Sequence, residues 1–238
     1  MLQTLRVSKQ LDGTPEIFHS IQGEGASIGK PAVFLRLALC NLSCKWCDTR
    51  YTWDWDTFSQ VRFTIDMGVE DVAPALLKYG CRRVVVTGGE PLLQQSNLVP
   101  LLGRLKAEAV TIEVETNGTI VPRADLAGMV DQWNVSPKLG SSGNPRNLRE
   151  RPGCYSFFRE LPSTYFKFAV DRDDDLAEVD SLVHTYGLEP DQVILMPVAS
   201  NVTELTERSP GVSEACRARG YLFSTRLHIL LWGDRRGV

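Results

Sequence analysis

The sequence predicts an α/β fold built on parallel strands, and three observations carry that expectation. Beyond residue 30, short runs rich in β-branched and apolar residues alternate about six times with longer amphipathic stretches. Several of the longer stretches close on a glycine, as helices do. The unusual residues then follow the strands, where the loops of such folds converge on one face. Strand, helix and strand in repetition imply right-handed crossovers, which either a doubly wound sheet or a full or partial barrel satisfies.

The expected strands are AVFLRLAL (32–39), RVVVTG (83–88), VTIEVET (110–116), QWNVSP (132–137), YFKFAV (165–170) and QVILMPV (192–198). Helical patterns lie between them. VEDVAPALLKYG ends at Gly80, NLVPLLGRLKAEA begins at Asn97 as a candidate cap, and DLAEVDSLVHTYG ends at Gly187. The segment 138–153, KLGSSGNPRNLRERPG, is rich in glycine, proline and asparagine and reads as a surface loop, either a passive connector or a mobile lid. No repeat of 20 to 50 residues and no low-complexity tract interrupts the pattern.

At 238 residues the chain is expected to form one domain, 1–238, with enough buried surface to need no disulfide or structural metal. No apolar run approaches the roughly 20 residues that span a bilayer, and the N-terminus lacks the pattern of a signal peptide. A cytoplasmic location and no membrane association are therefore expected. A net charge of -3 without a lysine or arginine block argues against nucleic acid and for a small-molecule partner.

Three of the six cysteines, Cys40, Cys44 and Cys47, fall within CNLSCKWCDTRYTW. Their C-x3-C-x2-C spacing lets three thiolates turn toward one inorganic centre. A four-iron cluster held this way keeps one iron open for a ligand. Zinc would call for a fourth ligand, the nearest being Cys81 or His19, and a redox pair of Cys44 with Cys47 leaves Cys40 unexplained. Cys81, Cys154 and Cys216 read as small apolar residues in or near the core. Trp46 is a core aromatic or a shield for the centre. The oxygens of Asp48 and Thr49 suit magnesium, or an ordinary turn.

The other motifs follow the later strands: TGGEP (87–91), ETNGT (115–119), SPK (136–138) and MPVAS (196–200). The glycines of TGGEP permit a close backbone approach that could expose amides and carbonyls to a ligand, and Glu90 could accept from an ammonium. Pro91 would open a helix. Upstream, SIQGEG (20–25) offers Gln22 and Glu24, groups able to read a heterocycle's donor and acceptor pattern, or simply a polar turn.

Taken together, C-x3-C-x2-C and the GGEP turn resemble the signature of the radical S-adenosylmethionine superfamily. Within it, IQGEG, CDT-x-YTW, TGGEP, ETNGT, SPK and the terminal LHILLWGDRRGV are similar to the 7-carboxy-7-deazaguanine synthase family, over nearly the whole chain. The resemblance implies a partial barrel of parallel strands (β6/α3-like) and a homodimer. It implies a [4Fe-4S] cluster on Cys40, Cys44 and Cys47, S-adenosylmethionine on the open iron, and a 5'-deoxyadenosyl radical that takes hydrogen from C6 of 6-carboxy-5,6,7,8-tetrahydropterin. Ring contraction with loss of ammonia would give 7-carboxy-7-deazaguanine, on the way to queuosine and related 7-deazapurines.

Carried over by position, Trp46, Cys47, Asp48, Gly89, Glu90, Ser136, Lys138 and the backbone around Met196 would cradle the cofactor. Ile21, Gln22, Gly23, Arg36, Thr87, His228 and Val238 would face the pterin, with Arg36 matched to its carboxylate by the guanidinium fork. Thr49 would be the protein ligand to Mg2+. An electron donor such as a flavodoxin would reduce the cluster, and no protein side chain is assigned to the hydrogen abstraction itself. An activase that forms a glycyl radical on a partner protein is the competing radical enzyme; a zinc or thiol-redox binding module is the competing class. Tyr51, Trp53 and Trp55 carry no assignment.

Overall fold

The structure, a computed structural model, describes residues 3–233 and 235–238. Ten strands form its sheet: β1 (Thr4–Ser8), β2 (Ile17–Ile21), β3 (Pro31–Leu37), β4 (Thr64–Gly68), β5 (Arg83–Gly88), β6 (Thr111–Thr116), β7 (Gln132–Val135), β8 (Thr164–Val170), β9 (Val193–Pro197) and β10 (Leu222–Phe223). All six expected strands are present. From β3 through β5, β6, β7, β8 and β9 to β10, each strand pairs in parallel with the one before it. The order advances in one direction and never reverses, as a doubly wound sheet would. The sheet is a partial barrel whose ends, β10 and β4, do not pair.

Strand periodicity divides the side chains into two faces. Val33, Leu35, Leu37, Val84, Val86, Ile112, Val114, Trp133, Val135, Phe166, Phe168, Val193 and Leu195 join one buried core with the helices. The alternate residues lie on the other face, and here the composition changes along each strand. Phe18, Ala32, Phe34 and Val85 form a small apolar cluster. One step toward the carboxyl ends stand Arg36 and Thr87, which are register partners, with Glu115 and Asn134 likewise paired.

The expected helices hold with shifted bounds. Val69–Leu77 and Asp173–Tyr186 are helical, and Gly187 takes the left-handed conformation at φ 60° that ends the second. The helix expected from Asn97 begins earlier, at Gln95. Asn97 is therefore not its cap; its Nδ2 donates to the Thr4 carbonyl at 2.7 Å instead. The other crossovers carry Ala124–Ala127, Pro152–Arg159 and Val202–Arg219, in keeping with the repeated strand–helix pattern. Asn201 caps the last of these by accepting from the Glu204 amide at 2.9 Å, a contact worth about 1 kcal/mol. The segment 138–153 is neither free loop nor single helix: it holds the short turns Gly140–Ser142 and Arg146–Arg149 and enters the helix Pro152–Arg159.

β1, β2 and β4, which lie outside the expected pattern, add an antiparallel flank beside β3. Among the described residues, no helix is long and apolar enough to cross a membrane.

Candidate active site

The three cysteines leave β3 through an unusual turn. Leu39 has φ 76°, and this ends the strand two residues short of its expected limit. Its amide donates to the Thr52 carbonyl at 2.7 Å, closing the loop 40–52. The double glycine of TGGEP explains how the neighbouring strand fits. A Cβ on Gly88 or Gly89 would lie 2.0 Å from the carbonyl oxygen of Leu37 or Leu39, respectively, so no larger residue fits without moving the backbone.

That close approach also corrects an expectation. The amides of Gly89 and Glu90 are not offered to a ligand; they donate to Leu37 O at 3.0 Å and Leu39 O at 2.7 Å. The Glu90 carboxylate is fully enclosed and accepts from the Leu92 amide, the Thr116 hydroxyl and the Asn117 amide at 3.0, 2.8 and 2.6 Å. Burial pushes Glu90 up, with the two amides and the hydroxyl opposing. Glu90 thus locks the β5 turn to β6 rather than waiting for an ammonium, and as its side chain caps Pro91–Gln94, Pro91 opens a helical turn as expected.

Each thiol of the loop faces one side-chain N–H donor. Asn144 Nδ2 lies 3.2 Å from Cys44 Sγ, Trp53 Nε1 lies 3.3 Å from Cys47 Sγ, and Asn117 Nδ2 lies 3.9 Å from Cys40 Sγ. Burial pushes the Cys40 thiol up to about 12 and raises Cys44 as well, so loading a metal centre must release their protons. Three free thiols on one loop, each facing a neutral side-chain donor, fit a cluster that takes one thiolate on each of three irons. Among the described residues, no three His, Cys, Asp or Glu side chains gather as tightly as one metal ion requires.

Thr49 Oγ1 is 3.6 Å from Cys47 Sγ, at the rim of the same loop. Asp48 beside it is engaged: its carboxylate pairs with Arg226. On the far side of the loop Lys138 Nζ donates to Ser136 Oγ at 2.8 Å and stands 5.5 Å above the Trp46 ring. Loop, β7 exit and Trp46 are therefore one assembly, as the shared edge implied. The indole N–H of Trp46 is buried without a partner among the described residues.

The rest of the edge is ionic. Gln22 Nε2 and Thr87 Oγ1 donate to the two oxygens of Glu115 at 3.0 and 2.8 Å. Glu24 pairs with Lys167 and with Arg226, whose Nε is 2.9 Å away. Burial opposes the charge on Glu24, yet Lys167, Arg226 and His228 hold its carboxyl well below the usual range. The C-terminal segment closes over this network. The Leu227 amide donates to Gly23 O at 2.8 Å, and a Cβ on Gly23 would strike the His228 ring at 2.4 Å. This contact gives the first glycine of QGEG its reason.

Arg36 meets a carboxylate inside the protein. Its Nε donates to Glu16, which also accepts from Tyr51 Oη and Arg236 Nη2, each at 3.0 Å. Arg236 stacks 3.5 Å over the Tyr51 ring, a desolvated cation–π contact. Met196 lies near the carboxyl end of β9, at this edge, whereas Ile21, the last residue of β2, pairs with Pro31 at the amino end of β3. Val238 is half-buried. Glu16, Glu115, Lys167, Arg226, Arg236 and Asn144 were not singled out by sequence. For Glu115 and Lys167 a signal existed: a charge within an apolar parallel strand, where both faces are ordinarily covered.

The description "Radical SAM superfamily" fits residues 37–151 of the chain. A 7-carboxy-7-deazaguanine synthase of Pyrobaculum aerophilum is 41% identical over 93% of this chain and 95% of its own length. The chain belongs to the 7-carboxy-7-deazaguanine synthase family. A member from Escherichia coli is 30% identical over 90% of this chain and 95% of that one. The crystal structure of QueE from Escherichia coli superposes with a TM-score of 0.70, covering 94% of this chain and 95% of the other at 26% identity. The cofactors of a member of this family are a [4Fe-4S] cluster and S-adenosylmethionine.

Proposed function

We propose that the chain is the lyase that converts 6-carboxy-5,6,7,8-tetrahydropterin to 7-carboxy-7-deazaguanine with loss of ammonia, in queuosine and 7-deazapurine biosynthesis. One observation carries the reading: three N–H-bonded thiols and a polar inner strand face, with Gln22, Arg36, Thr87 and Glu115, open on the same carboxyl edge. When bound and reduced, the cluster supplies the electron that splits S-adenosylmethionine into methionine and a 5'-deoxyadenosyl radical.

The residues divide the remaining work. Cys40, Cys44 and Cys47 hold the cluster. Trp46, Asp48, Ser136, Lys138 and the backbone of Gly89 and Met196 bound the cofactor's space, with Glu90 stiffening the turn from behind. Gln22 and Thr87, oriented by Glu115, present polar groups to the pterin ring, beside Ile21 and Gly23. Arg36 keeps its terminal nitrogens for the substrate carboxylate while Glu16 fixes its Nε. His228 and Val238 close the substrate side, and Thr49 serves as the protein ligand to Mg2+. Hydrogen abstraction needs no protein acid or base; the protein positions the groups and excludes water.

A single domain spanning 1–238, a homodimeric assembly, a cytoplasmic setting and reduction by a flavodoxin-like donor complete the proposal. The test is anaerobic turnover. Reconstituted, reduced protein given S-adenosylmethionine and the carboxytetrahydropterin should release 7-carboxy-7-deazaguanine. A loaded cluster that cleaves the cofactor without making this product would move the chain to another radical reaction, such as activation of a partner protein.

A further inference from the structure

We propose that Trp53 and Asn144 are positioning residues that raise the reduction potential of the cluster, each through one N–H donated to a ligand sulfur. The proposal rests on the cluster reading above.

Trp53 lies six residues beyond Cys47, outside the metal-binding spacing, and its indole has only one polar hydrogen. That hydrogen points at Cys47 Sγ across 3.3 Å. The ring is held for the purpose: the Trp53 amide donates to Arg50 O at 3.0 Å, and the Arg50 guanidinium lies 6.0 Å from the ring centre.

Asn144 reaches Cys44 from a segment 100 residues away, read from sequence only as a surface loop. Its side chain is 6% exposed. Oδ1 accepts the Ser43 amide at 2.9 Å, while Nδ2 donates to Cys44 Sγ at 3.2 Å and to Ser142 Oγ at 3.1 Å. The Ser142 carbonyl in turn accepts the Lys45 amide at 3.0 Å. The segment 138–153 therefore grips the residues on both sides of Cys44 as well as Cys44 itself. It is a clamp on the cluster loop, neither a passive connector nor a lid.

The physical consequence follows from charge. Reduction adds an electron to the centre and density to its thiolates, and an N–H donor stabilises the reduced form more than the oxidised one. Asn117, at 3.9 Å from Cys40 Sγ and already bonded to Asn41 Oδ1 at 2.9 Å, gives Cys40 a weaker donor. Cys44 and Cys47 are thus the two sulfurs with a close side-chain N–H donor.

The experiment is a potentiometric titration of the reconstituted protein, followed by electron paramagnetic resonance, for the parent, Trp53→Phe and Asn144→Ala. Phenylalanine keeps an aromatic ring and removes the N–H. Each variant should have a lower midpoint at full iron content, by about a tenfold change in the reduction equilibrium, or about 59 mV for a one-electron couple. An unchanged midpoint in Trp53→Phe overturns the role at Cys47, and in Asn144→Ala the role at Cys44. Should Asn144→Ala load poorly, amide exchange in the apoprotein decides: faster exchange at Ser43 and Lys45 supports the clamp, and unchanged exchange overturns it. A parent protein that takes up no iron would instead sink the cluster reading, a separate and distinguishable failure.

Discussion

The two halves of the carboxyl edge hold their polar groups by opposite means. Around the cysteines the side-chain hydrogen bonds to sulfur are neutral, two asparagine amides and an indole facing three sulfurs, with the cation Lys138 set back over Trp46. Around the expected pterin they are ionic, with Glu16, Glu24, Asp48 and Glu115 set among Arg36, Lys167, Arg226 and Arg236. A metal centre that changes charge in use is best served by dipoles that stabilise it without pairing with it. A charged heterocycle is better served by oriented ions, which lose little on reorganisation because they are already fixed by one another. Function is therefore divided in space, and substitutions should fail in different ways on the two sides.

The largest effect belongs to the cluster half. Cys44→Ala should abolish iron loading and cofactor cleavage, whereas Cys154→Ala, in the apolar core at 3% exposure, should retain both. Iron content and 5'-deoxyadenosine release would show this; equal loss in the two variants would mean that the ligand set is wrong.

On the ionic side the expected damage is to stability. Glu24→Gln removes the carboxylate between Lys167 and Arg226, leaving buried Lys167 without its ion partner and Arg226 with Asp48 alone, at a cost of about 3–5 kcal/mol. Asp48→Asn breaks the rim pair with Arg226, where the carboxylate is 58% exposed, and should cost under about 1 kcal/mol. Urea midpoints for the two variants should differ in that order. A reversal would show that the network is anchored at its rim and not at Glu24.

The smallest effect is a pH dependence. Burial lowers the His228 pKa below its ordinary 6.5, with Arg226 and Lys167 aiding and Glu24 and Asp48 opposing. The unfolded chain then takes up the proton first, so this contribution to stability is complete above about 6.5 and declines as the pH falls toward the folded value. The thermal midpoint should drop on acidification across that window, and His228→Asn should flatten the drop.

How much of this was legible in the sequence depended on local pattern. The parallel strands could be read because each is a dense β-branched or aromatic run, as RVVVTG and QVILMPV are. β2, IFHSI, could not be read that way; it is short, and its His19 and Ser20 break the apolar run. The helix Val202–Arg219 was hidden by Pro210 in its interior and by a narrow apolar stripe of Leu205, Val212, Ala215 and Cys216. In the site, the cysteines and motifs could be read from spacing alone. Their partners could not, since Asn144, Glu16 and Arg226 lie 20 to 202 residues from the groups they hold, and only the fold brings them together.

The division of the edge is tested most directly by Arg36→Met, through the amounts of 5'-deoxyadenosine and 7-carboxy-7-deazaguanine it releases at full iron content. Losing a charged, hydrogen-bonded partner for the substrate carboxylate costs about 2–5 kcal/mol, or roughly 30- to 4000-fold in product formation. Continued cofactor cleavage alongside that loss is the predicted result. A proportional fall in both products would contradict it, and would show that Arg36 serves the cluster half as much as the substrate half.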